Sequence, residues 1–155
     1  MQAIAPCLWF DTQAEEAAKF YCSIFPNSKI TTIAKYGEGG MRPAGMVMIV
    51  EFELNGRPFS ALNGGPQFKF SEAVSLQVFC DTQAEVDHYW TKLCEGGKPN
   101  VCGWLSDRYG FHWQIVPSVI RAAMSGPPEQ TKRVMQVVLN MIKPDIAELE
   151  KAARG

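Results

Sequence analysis

The chain has 155 residues, 46% of them hydrophobic and 20% charged, which gives it enough apolar material to bury a core and excludes a disordered chain. A formal net charge of -1 with no basic cluster excludes nucleic acid as an expected partner. No apolar stretch approaches the ~20 residues of a membrane span, and Asp11, Glu15 and Glu16 interrupt any signal-like start, so no membrane association and a cytoplasmic location are expected.

The pentapeptide Asp-Thr-Gln-Ala-Glu occurs twice, at 11–15 and 81–85, each time after an apolar run and before a helix-like pattern. Such self-similarity points to an internal duplication and sets the reading of the fold. In chain order, residues 3–10 read as a strand, and Asp11 and Thr12 as helix starters with Glu15 and Glu16 in the first turn. Ala14, Ala17, Ala18, Tyr21, Ile24 and Phe25 form one apolar face, and Pro26-Asn27 closes the helix. Strands follow at 29–36, 46–54 and 57–62, the last two joined by Asn55-Gly56, a two-residue hairpin signal.

The second copy repeats the order with a strand at 74–80 and a helix burying Val86, Tyr89, Trp90 and Leu93. Gly96-Gly97 ends that helix, and 101–107 forms a hairpin with 111–116. After the pentapeptide the apolar positions run at an offset of 69 rather than 70, pairing Ala17 with Val86 and Tyr21 with Trp90. The expected class is α+β: one domain over 1–155, made of a βαβββ module at 1–63, a linker at 64–72, a second module at 73–117 and helices at 118–155. Pro144 should divide the helical tail, whose apolar face is expected to pack on a second subunit.

The five cysteines are odd in number and contain no CxxC pair, so they read as reduced, small apolar residues. His88 falls off the apolar stripe of its helix and reads as a surface residue. Strict alternation puts His112 on the same strand face as Gln114. A lone histidine lacks the partners that a ligand or general base needs, so a rim or structural role is expected.

Several stretches carry a more specific likeness. Phe25-Pro26-Asn27-Ser28-Lys29-Ile30, Ala61-Leu62-Asn63-Gly64-Gly65-Pro66, Glu72-Ala73-Val74-Ser75-Leu76, Cys102-Gly103-Trp104-Leu105 and Trp113-Gln114-Ile115-Val116-Pro117 resemble the PhnB-like family. That family is often labelled 3-demethylubiquinone-9 3-methyltransferase. The likeness extends over nearly the whole chain, the 133–155 tail included. The two modules in one short chain also resemble the vicinal oxygen chelate superfamily, which includes glyoxalase I, extradiol dioxygenases, and fosfomycin and bleomycin resistance proteins. The resemblance implies two βαβββ modules forming cupped mixed sheets.

Metal-dependent members of that superfamily take ligands from the start of the first strand and the middle of the last strand of each module. The matching positions here are Ala5, Cys7, Ser60, Ser75, Gln77 and Gln114, none of them a histidine or carboxylate. Neutral side chains would leave a divalent ion under-compensated, so no metal and no cofactor are expected. The methyltransferase label meets a similar objection, because the first strand ends in Phe10-Asp11-Thr12-Gln13 rather than a glycine-rich turn.

By alternation, Cys7 with Trp9, Ser75 with Gln77 and Phe79, and His112 with Gln114 each share a face. If those faces converge, Cys7, Trp9, Ser60, Gln77, Phe79, His112 and Gln114 line a pocket of aromatic and amide groups, suited to an uncharged or partly apolar small molecule rather than a phosphate. Arg42, Arg57 and Lys69 read as solvated, as do Glu51 and Glu53 on one sheet face. The leading expectation is a metal-free, small-molecule-binding homodimer whose sheets and C-terminal helices pair across a two-fold axis. The alternatives are a metal-dependent lyase, isomerase or dioxygenase recruiting His112, Cys7 or Glu51, a methyltransferase, and a structural protein whose concave face is simply core.

Overall fold

The computed structural model describes residues 4–155, and these divide into two compact units, one ending at Phe70 and the other spanning Ser71–Gly155. Ala3, the expected first strand residue, lies outside the described residues. In the first unit, β1 (Cys7–Phe10), α1 (Ala14–Ile24), β2 (Lys29–Lys35), β3 (Val47–Leu54) and β4 (Arg57–Asn63) form a sheet of order β1-β4-β3-β2. Only β1 and β4 run parallel; the other pairs are antiparallel. The second unit repeats this as β5 (Ser75–Cys80), α2 (Gln83–Cys94), β6 (Lys98–Pro99), β7 (Trp104–Ser106) and β8 (His112–Pro117), in the order β5-β8-β7-β6 with β5 and β8 parallel.

Alternation fixes which sheet face each helix covers. In β1, Leu8 and Phe10 are buried while Cys7 is exposed and Trp9 half-buried. In β3, Val50, Phe52 and Leu54 are buried, and in β4, Phe59 and Ala61. These residues meet Ala14, Ala17, Ala18, Tyr21 and Ile24, the buried face of α1. Tyr21 stacks on Phe52, which stacks on Phe59, with centroids 6.5 Å and 5.5 Å apart. At the hairpin, Asn55 (φ 48°) and Gly56 (φ 73°) both take the left-handed conformation that a two-residue turn of this hand requires.

The slip in the repeat has a structural cause. Both pentapeptides start a helix, but the N-cap position falls at Gln13 in the first copy and at Thr82 in the second, so the helices start 69 residues apart although β1 and β5 end 70 apart. Thr82 and Glu85 form a reciprocal capping box. In the first copy neither Asp11 nor Thr12 caps the helix; buried Asn63 at the end of β4 does, its Oδ1 accepting from the Ala14 N–H at 2.8 Å. Its Nδ2 donates to the Val47 carbonyl at 3.0 Å, so one amide ties α1 to β3 and β4.

The second cap makes acid stability testable. N–H groups of Asp81 and Thr82 hold the Glu85 carboxyl below its usual 4.5. A depressed folded pKa gives stability that is present above the unfolded value and is lost as pH falls through the folded one. Thr82→Ala should lower unfolding free energy by about 1 kcal/mol, and Glu85→Gln should flatten the acid limb of stability against pH. Urea denaturation across the acid range checks both, and an unchanged acid slope in Glu85→Gln contradicts the account.

Two sequence expectations shift. Residues 64–70 belong with the first unit rather than to a free linker: the Gly64 N–H donates to the Phe10 carbonyl at 2.9 Å, and Phe70 packs edge-on against Phe10 at 5.3 Å. The tail forms α3 (Ser118–Met124), α4 (Pro128–Val138) and α5 (Ile146–Arg154), with Pro144 falling between α4 and α5 as its chemistry dictates. Part of its apolar stripe is covered within the chain, while Leu139 and Ile142 stay more than half exposed. Ala123, Val134, Val138, Met141 and Leu149 form a core, and the N–H groups of Cys102 and Gly103 donate to Met141 and Ile142 at 2.7 and 3.0 Å. Tyr89 and Trp90, expected as buried, are only half-buried. Among the described residues no helix is long and apolar enough to cross a membrane.

Candidate functional site

Each sheet has one face covered by its helix and one open face, and the predicted site residues all fall on the open faces. In the first unit, register lines up Cys7, Ser60, Glu51 and Thr32 across the four strands, with Trp9, Leu62, Ile49 and Ala34 in the next row. Neighbouring strands lie about 4.8 Å apart, which leaves Cys7 and Glu51 roughly 10 Å apart at the backbone, on either side of Ser60. They do not meet at one point. Glu53 pairs with Lys29 at 3.7 Å, the lysine largely exposed and the glutamate partly so.

Trp9 is held firmly. Its indole N–H donates to the Gly65 carbonyl at 2.9 Å, and Phe68 meets the ring edge-on at 5.0 Å. The ring lies so close over Gly64 that a Cβ there would stand 2.2 Å from Cζ2. The Gly64-Gly65 pair therefore seats an aromatic side chain. Arg42, expected to be solvated, is partly buried and pairs with Asp11 at 3.0 Å.

The second open face is more polar. Register aligns Gln77, Gln114 and Trp104, and beside them Ser75, His112, Ser106 and Lys98. Gln114 is the hub: its Nε2 donates to the Ser75 hydroxyl at 2.7 Å, and its Oε1 accepts from Gln77 Nε2 at 3.4 Å. The Gln77 side-chain oxygen and the Ser75 hydroxyl donor take no part in this chain of bonds. His112 is largely covered, its Nε2 lying 4.0 Å from a carboxylate oxygen of Glu72. Phe79, half exposed, pairs in register with Val116, and the Arg121 guanidinium of α3 lies 4.1 Å from its ring centroid. Arg121 escaped the sequence reading because only the turn from β8 into α3 carries it over the ring of a residue 42 positions earlier.

The duplication persists at the level of rows. Cys7–Ser60–Glu51 and Gln77–Gln114–Trp104 occupy the same places in the two sheets with different chemistry. Among the described residues no three His, Cys, Asp or Glu side chains gather as a metal site. His88 is exposed on α2, edge-on to Tyr89. Elsewhere in the second unit, a groove of about 710 Å³ runs between α4 and α5, lined by Arg133, Val137, Met141, Glu148, Lys151 and Ala152 among others, and contains none of the expected site residues.

The thiols differ sharply. Burial, followed by the charges of Glu85 and Asp81, pushes Cys80 up to about 12, and burial also raises Cys22 and Cys94. Cys7 is exposed. Limiting iodoacetamide near neutral pH should modify Cys7 first and Cys80 last, as read by peptide mass spectrometry. Modification of Cys80 as early as Cys7 would contradict the buried placement of β5.

The family model described as 3-demethylubiquinone-9 3-methyltransferase matches residues 2–116, so the likeness stops before α3 instead of including the tail. Among solved structures, the PhnB protein from Bacillus cereus is 36% identical, over 75% of this chain and 99% of its own, with a TM-score of 0.69. Protein PA1353 from Pseudomonas aeruginosa (20% identical, 76% and 98% covered, TM-score 0.63) shares the fold. So does the fosfomycin resistance protein FosX from Mesorhizobium loti (10%, 74% and 90%, TM-score 0.54). No curated protein matches the chain. With a family match across both sheets and a close PhnB neighbour, the chain belongs to the PhnB-like family described as 3-demethylubiquinone-9 3-methyltransferase, on the glyoxalase/bleomycin resistance/dioxygenase fold.

Proposed function

We propose that the open face of the second sheet binds a small organic molecule through fixed amide and hydroxyl groups, with no resident metal. The observation that carries this reading is the Ser75–Gln114–Gln77 chain of hydrogen bonds, flanked by Phe79 and Trp104. Side chains that hold one another in place give a ligand oriented donors and acceptors at little entropic cost, and aromatic walls supply apolar contact.

The residues do not fit the metal implied by the superfamily. The positions that would ligate are Ser60, Gln77 and Gln114, with Cys7 separated from the nearest carboxylate in its row by Ser60. Neutral amide and hydroxyl oxygens with so few anionic donors suit no transition metal well. Methyl transfer, named in the family's description, would need a seat for a methyl donor. Here β1 runs into Phe10-Asp11-Thr12-Gln13, and the glycine pair after β4 is occupied by Trp9.

A thermal-shift screen of small organic molecules, with each hit mapped by NMR on the side-chain amides, tests the proposal. Hits should shift the Gln77 and Gln114 signals, and Gln114→Ala should weaken them at least about fivefold. Hits that map instead to the α4–α5 groove would overturn it.

A homodimer is the second part of the proposal. Val101, Met124, Leu139 and Ile142 of the second unit are each more than half exposed, and a subunit contact over them would remove that apolar surface from water. Sedimentation equilibrium at micromolar concentration should give twice the 17.2 kDa chain mass; the monomer mass would refute it.

A further inference from the structure

The amide row of the second sheet ends beside a guanidinium. Phe79 is the open-face residue of β5 that follows Gln77, and Arg121 lies over its ring at 4.1 Å. Among the described residues Arg121 makes no ion pair and no side-chain hydrogen bond, whereas Arg42, Arg108 and Arg154 each pair with a carboxylate. Contact with an aromatic face satisfies none of the guanidinium N–H groups, but it restrains the long side chain and leaves its planar fork of donors to face a ligand.

We propose that Arg121 reads a carboxylate on the molecule bound at this face. The inference rests on the binding reading above and adds to it the charge and length of the ligand. A guanidinium fork matches the two oxygens of a carboxylate, forming paired charge-assisted hydrogen bonds. A phosphate dianion would call for further cations or convergent backbone N–H groups. The other cation on this face is Lys98, on the far edge strand in the row of His112 and Ser106, away from Phe79.

Alternate residues along a strand are on the order of 7 Å apart, which sets the distance from the Gln77–Gln114 row to the row of Phe79. The ligand therefore carries its carboxylate and its amide-pairing group at opposite ends of a short, flat apolar body. That body lies against Phe79 and Val116, which are register partners. Binding of this kind makes Arg121 a specificity residue: it selects the acid over a neutral molecule of the same shape.

Two probes isolate the charge: 4-carbamoylbenzoate, and 4-(hydroxymethyl)benzamide as its neutral counterpart. Both are titrated into the full chain by NMR, following the side-chain amides of Gln77 and Gln114 and the Arg121 Nε–H. The acid should bind roughly three to ten times more tightly, as expected of a partly exposed charge pair, and added salt should shrink the gap. Arg121→Gln should abolish the preference, and Arg121→Lys should restore only part of it, because an ammonium keeps the charge without the fork. Equal affinities in the wild type, or a preference that survives in Arg121→Gln, would overturn the carboxylate assignment and leave the binding face standing. If neither probe moves the glutamine signals at millimolar concentration, the binding face falls and this inference with it.

Discussion

Asp107→Ala should lower the unfolding free energy by roughly 3–5 kcal/mol. Asp107 is 3% exposed at the end of the β7–β8 hairpin, and its two oxygens accept three hydrogen bonds. The N–H groups of Tyr109 and Phe111 reach Oδ1 at 2.9 and 3.0 Å, and the Trp113 indole N–H reaches Oδ2 at 2.8 Å. Truncation strands the buried donors of Phe111 and Trp113 and the part-buried one of Tyr109, and each buried donor left unpaired costs about 1–3 kcal/mol. It also releases the indole N–H of Trp113, among the largest fully buried side chains, from its hydrogen bond to the carboxylate. Because Trp113 sits between His112 and Gln114 on β8, the damage should reach the open face as well. Chemical denaturation measures the loss, and Asp107→Asn, which keeps an acceptor oxygen, should cost distinctly less. A drop below about 1 kcal/mol for the alanine variant, the range of ordinary surface changes, would mean that the hairpin is held otherwise.

Gly64→Ala should cost roughly 2–4 kcal/mol, a large effect for one added methyl group. The new Cβ would stand 2.2 to 2.5 Å from three atoms of the Trp9 indole. The indole cannot swing aside freely, because its N–H is bonded to Gly65 and its ring is met by Phe68. Either Trp9 leaves its rotamer and gives up that bond, or the chain after β4 moves and pulls on Asn63, which caps α1. Trp9→Phe in the same background should recover part of the loss, since a smaller ring vacates the space. Full additivity of the two changes would contradict the proposed clash.

These two positions show what a sequence can and cannot disclose. Strand alternation, the Asn55-Gly56 turn and the repeated pentapeptide are local signals, and they gave the order of all the long elements and the faces of β1, β5 and β8. Ser60 and Gln114 could be picked out on the last strands by counting from their hairpins, but that each lies across a parallel pair from Cys7 and Gln77 is seen only in the fold. Long-range contacts left no such trace. Asn63 caps a helix that starts 49 residues earlier, Phe68 and Phe70 fold a glycine-rich stretch back onto β1, and Arg121 reaches Phe79 only through the turn into α3. The apolar stripe of the tail was visible, but a stripe does not name what covers it; Ala123 and the Cys102-Gly103 segment, distant in sequence, cover part of it.

The metal content of the untagged protein, purified without chelator and measured by elemental mass spectrometry against an independent protein concentration, tests the central claim most directly. A face built from Ser75, Gln77 and Gln114 predicts far less than one equivalent of any transition metal per chain. Close to one equivalent of a single metal would contradict the metal-free reading and favour a metal-dependent one.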